Sequence, residues 1–554
     1  MVRRMNLGTV NGVVHSPGAR LWSPVAAACV LVGVMAYLSP FTPARPGALA
    51  GVHRQTDARQ AIRQIGGAGA VLGSERAFVV SFLAQLRSDS DPRCLESWAR
   101  SVGLVVRWSP GEGFVSLSGP PESVDRALEV SIDSHPGPDG QIVWAATHPA
   151  KVPAGGVCGE LAGIGALHSF VRPAPLGDVT LGASSPGLSP SQLLDAYDAD
   201  PLISRGMAGQ GETVVFFETD AFDSSDVDEF ANAIDAPVKL KYPLGNLGDT
   251  EGESTMDIET VHEIAPLAKL VDINLLSSQF KNMSTAATYE AAFAFAADHF
   301  PGAVWSISLG SCEDDTDIFE PADLVAMNDA VATAEKGGTT VFASSGDSGG
   351  LDCMPPDAAG QPPLGSWEGV SVPASLPQVT SVGGTTLSTT AAGAYLGETT
   401  WTEPLLLQGS GGGVSRVFSR PAWQVGLGTG GLADVSGGRQ VPDVSADANP
   451  ATGNDIIEHG HVTTGGGTSL ASPTWAGFTA LIDEYLHTQG GKEVGFLNPV
   501  LYKLAQSPLP YRAFHDITTG GNDFYLATPG YDMVTGLGSP DVWNLARDLA
   551  RAGR

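Results

Sequence analysis

Ser469 stands in Gly467-Thr-Ser-Leu-Ala-Ser-Pro473, a glycine-rich turn that opens into a helix. Glycines let a substrate backbone come close, and the N–H groups of a helix start can face a developing oxyanion. A hydroxyl there suits a nucleophile. It needs a base. Residues 252–257 read Gly-Glu-Ser-Thr-Met-Asp, which spaces Glu253 and Asp257 four apart. On a helix both carboxyls share one face, about 5–6 Å apart at Cβ, and acids that close tend to share a proton. Such a pair can act as base and acid at low pH, where an imidazole is already protonated. A third acid, Asp347, lies in Val341-Phe-Ala-Ser-Ser-Gly-Asp-Ser-Gly-Gly350, a short apolar strand running into a tight turn. Held protonated at a strand's C-terminal end, it can donate to an oxyanion. None of the 11 histidines sits in a His-Gly-Thr-His helix start of the kind that would suit a base; His262, in Thr260-Val-His-Glu263, comes nearest and lacks the glycine.

Elements must position these groups. From Leu188 the pattern is βα repeated. Glu212–Glu218, Leu270–Leu275, Ala303–Ser308 and Thr339–Ala343 read as strands, and Ser225–Ile234, Ser284–Asp298, Ala322–Lys336 and Pro473–Leu486 as helices. That alternation predicts a mostly parallel sheet with helices on both faces. Residues 76–135 read βαββαβ: strands Ala77–Phe82, Gly103–Trp108, Gly113–Ser118 and Val130–Ser134, helices Pro92–Ser101 and Pro121–Leu128. This predicts a ferredoxin-like α+β domain. Residues 170–187 are rich in Pro, Gly, Ser and Ala and read as a cleavable linker.

The motifs, in this order, resemble the sedolisin family of serine-carboxyl peptidases, which includes kumamolisin-type enzymes and tripeptidyl-peptidase I. The resemblance spans residues 51–554 and takes in Leu188–Tyr197, Asp257-Ile-Glu through Ile264-Ala-Pro266, Val372–Val379, Gly383-Gly-Thr385, Ser410-Gly-Gly-Gly413 and Val441–Asp447. It implies Ser469 as nucleophile, Glu253 as general base, Asp257 as the acid that shares its proton, and Asp347 as oxyanion donor. It also implies a subtilisin-like α/β catalytic domain (188–554) preceded by a ferredoxin-like activation pro-domain (51–169) and a maturation linker (170–187). Ser306-Ile-Ser-Leu-Gly310 resembles the strand that pairs with substrate; Ser410–Gly413 is either a second such edge or a flexible loop. Near the C-terminus, Asp516 and Asp532 can supply carboxylates, and Ile517, Thr528 and Gly530 carbonyls, an all-oxygen set suited to Ca²⁺. Sedolisins bind calcium with this arrangement, although Thr528 stands where they usually have glycine.

Composition bounds the rest. The chain has 554 residues, room for two or three domains, and a net charge of −30, which disfavours nucleic acid as a partner. Arg3, Arg4 and Arg20 precede an apolar run, Val25–Leu38, and Ala48-Leu-Ala50 fits a cleavage site. Residues 1–50 therefore read as an export signal, with a membrane anchor at residues 21–40 as the alternative. Export permits disulfides: Cys312–Cys353 and Cys94–Cys158 are the expected pairs, with free thiols as the alternative. The combined expectation is a secreted, monomeric, acid-acting, self-processing endopeptidase on protein or peptide substrates, with tripeptidyl-peptidase activity as a variant. The rival readings are an inactive binding module and a subtilisin-type peptidase with a histidine base.

Overall fold

Two predicted helices and three of the four predicted strands of the N-terminal region form where their apolar spacing places them. They are β1 (Val80–Leu86), α1 (Arg93–Val102), β2 (Val105–Arg107), β3 (Phe114–Gly119) and α2 (Pro121–Leu128). The fourth strand differs. β4 (Ile132–Pro136) forms a hairpin with β5 (Ile142–Ala146), and β6 (Leu161–Ile164) takes the sheet edge beside β1. The order β2-β3-β1-β6 is ferredoxin-like, completed by a later strand than expected. The turn signal Pro136-Gly-Pro-Asp-Gly140 explains the change, because it offers β4 a partner close by in sequence. Trp144 of β5 is buried with Phe82 and Leu117 in the same core.

The computed structural model describes residues 78–552, apart from 89–90, 137–141, 152–158, 170, 172–173, 176–186, 316–317, 354–367, 404–406, 427–436 and 507–510. The expected signal (1–50) and its alternative, the anchor at 21–40, lie outside the described residues. No described helix is long and apolar enough to cross a membrane.

After β7 (Ala174–Pro175) the chain resumes with α3 (Pro190–Ala196) and α4 (Asp200–Ile203). The strands that follow are β8 (Thr213–Glu218), β9 (Leu240–Lys241), β10 (Lys269–Asn274), β11 (Val304–Ile307), β12 (Leu309–Cys312), β13 (Thr340–Ser344), β14 (Ser371–Val372), β15 (Thr380–Thr389) and β16 (Tyr395–Thr400). The large sheet runs β16-β15-β13-β11-β8-β10-β9, with strand Val444–Asp447 also beside β15. Every pair is parallel except β15–β16. The other helices are α5 (Ser224–Ala233), α6 (Glu253–Ile264), α7 (Thr285–His299), α8 (Pro321–Glu335), α9 (Thr468–Thr488), α10 (Asn498–Gln506) and α11 (Val542–Ala552). On one face Val214, Phe216 and Leu270 pack with Ile258 of α6 and Trp475 of α9. On the other, Val215, Phe217 and Val271 pack with Phe293 of α7 and Met327 of α8. Each large apolar side chain so buried contributes about 1.5–3 kcal/mol. Strand order reverses around β8, which opens a crevice at the carboxyl ends of β8, β11 and β13.

Helix α9 begins at Thr468, ahead of the expected start at Pro473, so Ser469 lies inside its first turn. The disulfide Cys312–Cys353 is present and ties the end of β12 to the segment after β13. Cys94 is also disulfide-bonded; its expected partner, Cys158, lies outside the described residues.

The N-terminal region rests on α7 and α8. Ser81 N–H donates to Asn282 O at 3.1 Å, and Ser284 N–H to Ser81 O at 3.0 Å. Arg107 pairs with Glu290 at 2.6 Å, and Ala166 N–H donates to Asp323 Oδ2 at 2.6 Å. β7 then pairs antiparallel with β12, setting Pro175 opposite Leu309 and Ala174 opposite Gly310.

Candidate active site

Helix α6 opens at Gly252, whose φ of 100° is a conformation that favours glycine. A glycine cannot cap the helix with a side chain. Asp220, just past β8, does so instead: Ser254 N–H at 3.2 Å and Ser254 Oγ at 2.6 Å donate to its Oδ1. The helix is buried along its whole length, so Glu253 and Asp257, on successive turns, are both out of water.

Ser469 Oγ donates to the Ser308 carbonyl at 3.3 Å, with the Glu253 carboxyl alongside. Pro473 lacks the N–H that would bond the Ser469 carbonyl in a regular helix. The Ser308 hydroxyl takes that place at 3.3 Å and also lies 2.7 Å from Asp257 Oδ2. A hydroxyl has one proton. A protonated Asp257 satisfies both contacts: its proton goes to Ser308 Oγ, and the Ser308 proton to the Ser469 carbonyl.

Asp347 follows β13 through Gly346, whose φ is 118°. Its Oδ1 accepts from Thr468 N–H at 2.8 Å and Thr468 Oγ1 at 2.7 Å, which fixes it to the residue before Ser469. Residues 409–413 support that turn. Gly409 N–H donates to Asp347 O at 2.8 Å and Gly411 N–H to Gly346 O at 2.7 Å. A Cβ at Gly411 would collide with the Ser345 carbonyl, and one at Gly412 with that of Met533. The segment is buried packing beneath Asp347, neither a flexible loop nor an open edge.

Ser469, Glu253, Asp257 and Asp347 are thus brought together, and acids that the sequence reading did not single out join them. Glu218, the last residue of β8, lies against Asp257 and is fully buried. Asp272 of β10 is equally buried, and neither of its oxygens has a hydrogen-bond partner. The signal was available: an acid closing the apolar run Thr213-Val-Val-Phe-Phe-Glu218, and another inside Leu270-Val-Asp-Ile273. Burial pushes the Glu253, Asp257, Glu218 and Asp272 carboxyls well above the usual range; the Asp257 charge raises Glu253 further. No described histidine bonds to Ser469. His262, farther along α6, donates its Nε2–H to the Ala236 carbonyl at 2.8 Å.

The C-terminal loop gathers the five oxygen-bearing residues. Gly530 N–H reaches both Asp516 oxygens at 3.1–3.2 Å, and Thr528 N–H donates to Asp532 Oδ2 at 2.9 Å. Among the described residues none of the Ile517, Thr528 and Gly530 carbonyls accepts a backbone hydrogen bond, and the buried Thr528 hydroxyl has no partner. Two carboxylates with unpaired carbonyls fit a hard divalent cation. No described group of three or more His, Cys, Asp or Glu side chains could hold a metal.

Residues 246–494 match the Subtilase family. Over 499 residues the chain is 32% identical to kumamolisin of Bacillus sp. (strain MN-32), covering 84% of this chain and 83% of that protein. The chain belongs to the sedolisin family. Sedolisin of Pseudomonas sp. (strain 101) is 30% identical to it over 499 residues, covering 85% of this chain and 81% of that protein. A solved structure of Pseudomonas sedolisin, a serine-carboxyl proteinase complexed with two molecules of pseudo-iodotyrostatin, is also similar. It covers 67% of this chain and 100% of its own at 30% identity and a TM-score of 0.56. This sedolisin-family member is a serine-carboxyl peptidase with a subtilisin-like α/β domain, and its substrates are peptides.

Proposed function

We propose that the chain is an exported acid endopeptidase, made as a self-processing precursor and stabilised by calcium. The observation that carries this reading is a serine beside fully buried carboxyls that form no ion pair. In this reading Glu253 takes the Ser469 proton as the hydroxyl attacks the peptide carbonyl, then returns it to the leaving amine. Asp257 shares that proton. Asp347, protonated, donates to the oxyanion together with the Ser469 N–H. A water then attacks the acyl-enzyme and gives its proton to Glu253, which passes it to the departing Ser469 Oγ as the carboxylic acid product is released. Carboxyls held well above their ordinary range keep a shared proton in acid, where the cycle needs one.

Residues 51–169 act as the pro-domain and 170–187 as the maturation linker. The pairing of β7 with Leu309–Gly310 supports this, since an extended peptide would add to the same edge. The chain also passes beyond Ala174 on its N-terminal side, which suits an endopeptidase. Precursor held at about pH 4 is expected to cut itself, giving a new N-terminus between Pro175 and Gly187. N-terminal sequencing checks this; a precursor that stays whole, or a first cut inside residues 188–554, overturns it.

Calcium would be held by the Asp516 and Asp532 carboxylates and the Ile517, Thr528 and Gly530 carbonyls, and it would supply loop stability. EDTA is expected to lower the melting temperature of the protein, with calcium but not magnesium restoring it. An unchanged melting curve rejects the site. We further assign the working form as a secreted monomer.

A further inference from the structure

Asp220 is fully buried, is not used by the proton path above, and touches the start of the helix that carries the base. Its carboxylate receives Ser254 N–H and Ser254 Oγ, and its carbonyl receives Asn274 Nδ2 at 2.8 Å. One residue thereby ties the ends of β8 and β10 to the first turn of α6, next to Glu253. Two donors and the positive end of a helix thus face its carboxylate. Glu218 and Asp272 lack such support: neither accepts a hydrogen bond from a described N–H or hydroxyl group.

We propose that Asp220 is a positioning residue for this peptidase, a carboxylate that caps α6 from outside and sets its charge against the catalytic carboxyls. This rests on the assignment of Glu253 as base. The groups that feel its charge are Glu218 at the end of β8, Glu253 and Asp257 on α6, Asp272 on β10, and Glu458 of the hairpin beside α5 and α6. Lys241 of β9 pairs with Val271, on the opposite face of the sheet from Asp272, and is exposed.

Two substitutions separate charge from capping. Asp220→Asn keeps an acceptor for Ser254 and removes the charge. Both limbs of its kcat/KM–pH profile are expected to move to lower pH by about half a unit or more, because removing a nearby anion eases ionisation of its neighbours. Asp220→Ala also removes the cap. Its kcat is expected to fall about tenfold or more at every pH with KM little changed, as the base loses its alignment. Limbs that stay in place for Asn overturn the electrostatic role, and wild-type kcat for Ala overturns the capping role. If the Ala variant does not fold, the near-isosteric Asn variant decides alone. Glu253→Gln serves as reference: should it remain active, the base assignment fails, whatever Asp220 does.

Discussion

Ser469→Ala is expected to lower kcat/KM on an unfolded protein substrate at about pH 4 by about 10⁴-fold or more, and Glu253→Gln by a comparable factor. In the proposed mechanism the two groups act as one device, a hydroxyl and the carboxyl that takes its proton. The double variant should therefore be little worse than either single one. Ser469 is fully buried and alanine is smaller, so the fold is expected to survive and its melting curve can verify this. Both variants should leave the precursor uncut in acid. If Glu253→Gln keeps more than about a tenth of wild-type kcat/KM, the base lies elsewhere.

The second large effect is on stability. Burial pushes the Glu259 carboxyl up to about 9, and those of Glu290, Glu313, Asp323 and Asp447 up to about 7. In an unfolded chain such groups titrate near pH 4. Above that pH the folded protein holds protons that the unfolded chain releases, so the balance tilts toward unfolding. Their stabilising contribution is complete below about pH 4 and is lost as pH rises through 7 to 9, at about 1.4 kcal/mol per pH unit for each extra proton held. A net charge of −30 adds repulsion in the same direction. Urea midpoints of the Ser469→Ala variant, which cannot digest itself, are expected to be highest near pH 4 and to fall markedly by pH 7. Midpoints that are flat or rise over that range contradict it.

Much of the site was legible because its chemistry is local. Glu253 and Asp257 sit on one stretch of helix, and Ser469 and Asp347 each carry a glycine-rich turn around them. The acids behind them were hidden for the opposite reason. Glu218 and Asp272 meet Asp257 only through the parallel register of β8 with β10, which local spacing does not encode. Asp220 was not singled out, because its role shows only once the helix it caps is in place. The parallel sheet was readable from its apolar runs. The β4–β5 hairpin was missed because the ferredoxin-like count was already complete at Ser134. Pro473 suggested a helix start; in the fold, the Ser308 hydroxyl fills the gap it leaves and α9 runs straight through it.

If the proposed linker occupies the substrate edge, the pairing of Ala174–Pro175 with Leu309–Gly310 has a kinetic consequence. A segment joined to the same chain competes for that edge at an effective concentration on the order of millimolar, however dilute the protein is. Dilution cannot wash it away, and an outside peptide must outbid a rival that never diffuses off. In the proposed precursor, latency of this kind would not depend on how many copies are made; it would end one molecule at a time, when the tether is cut.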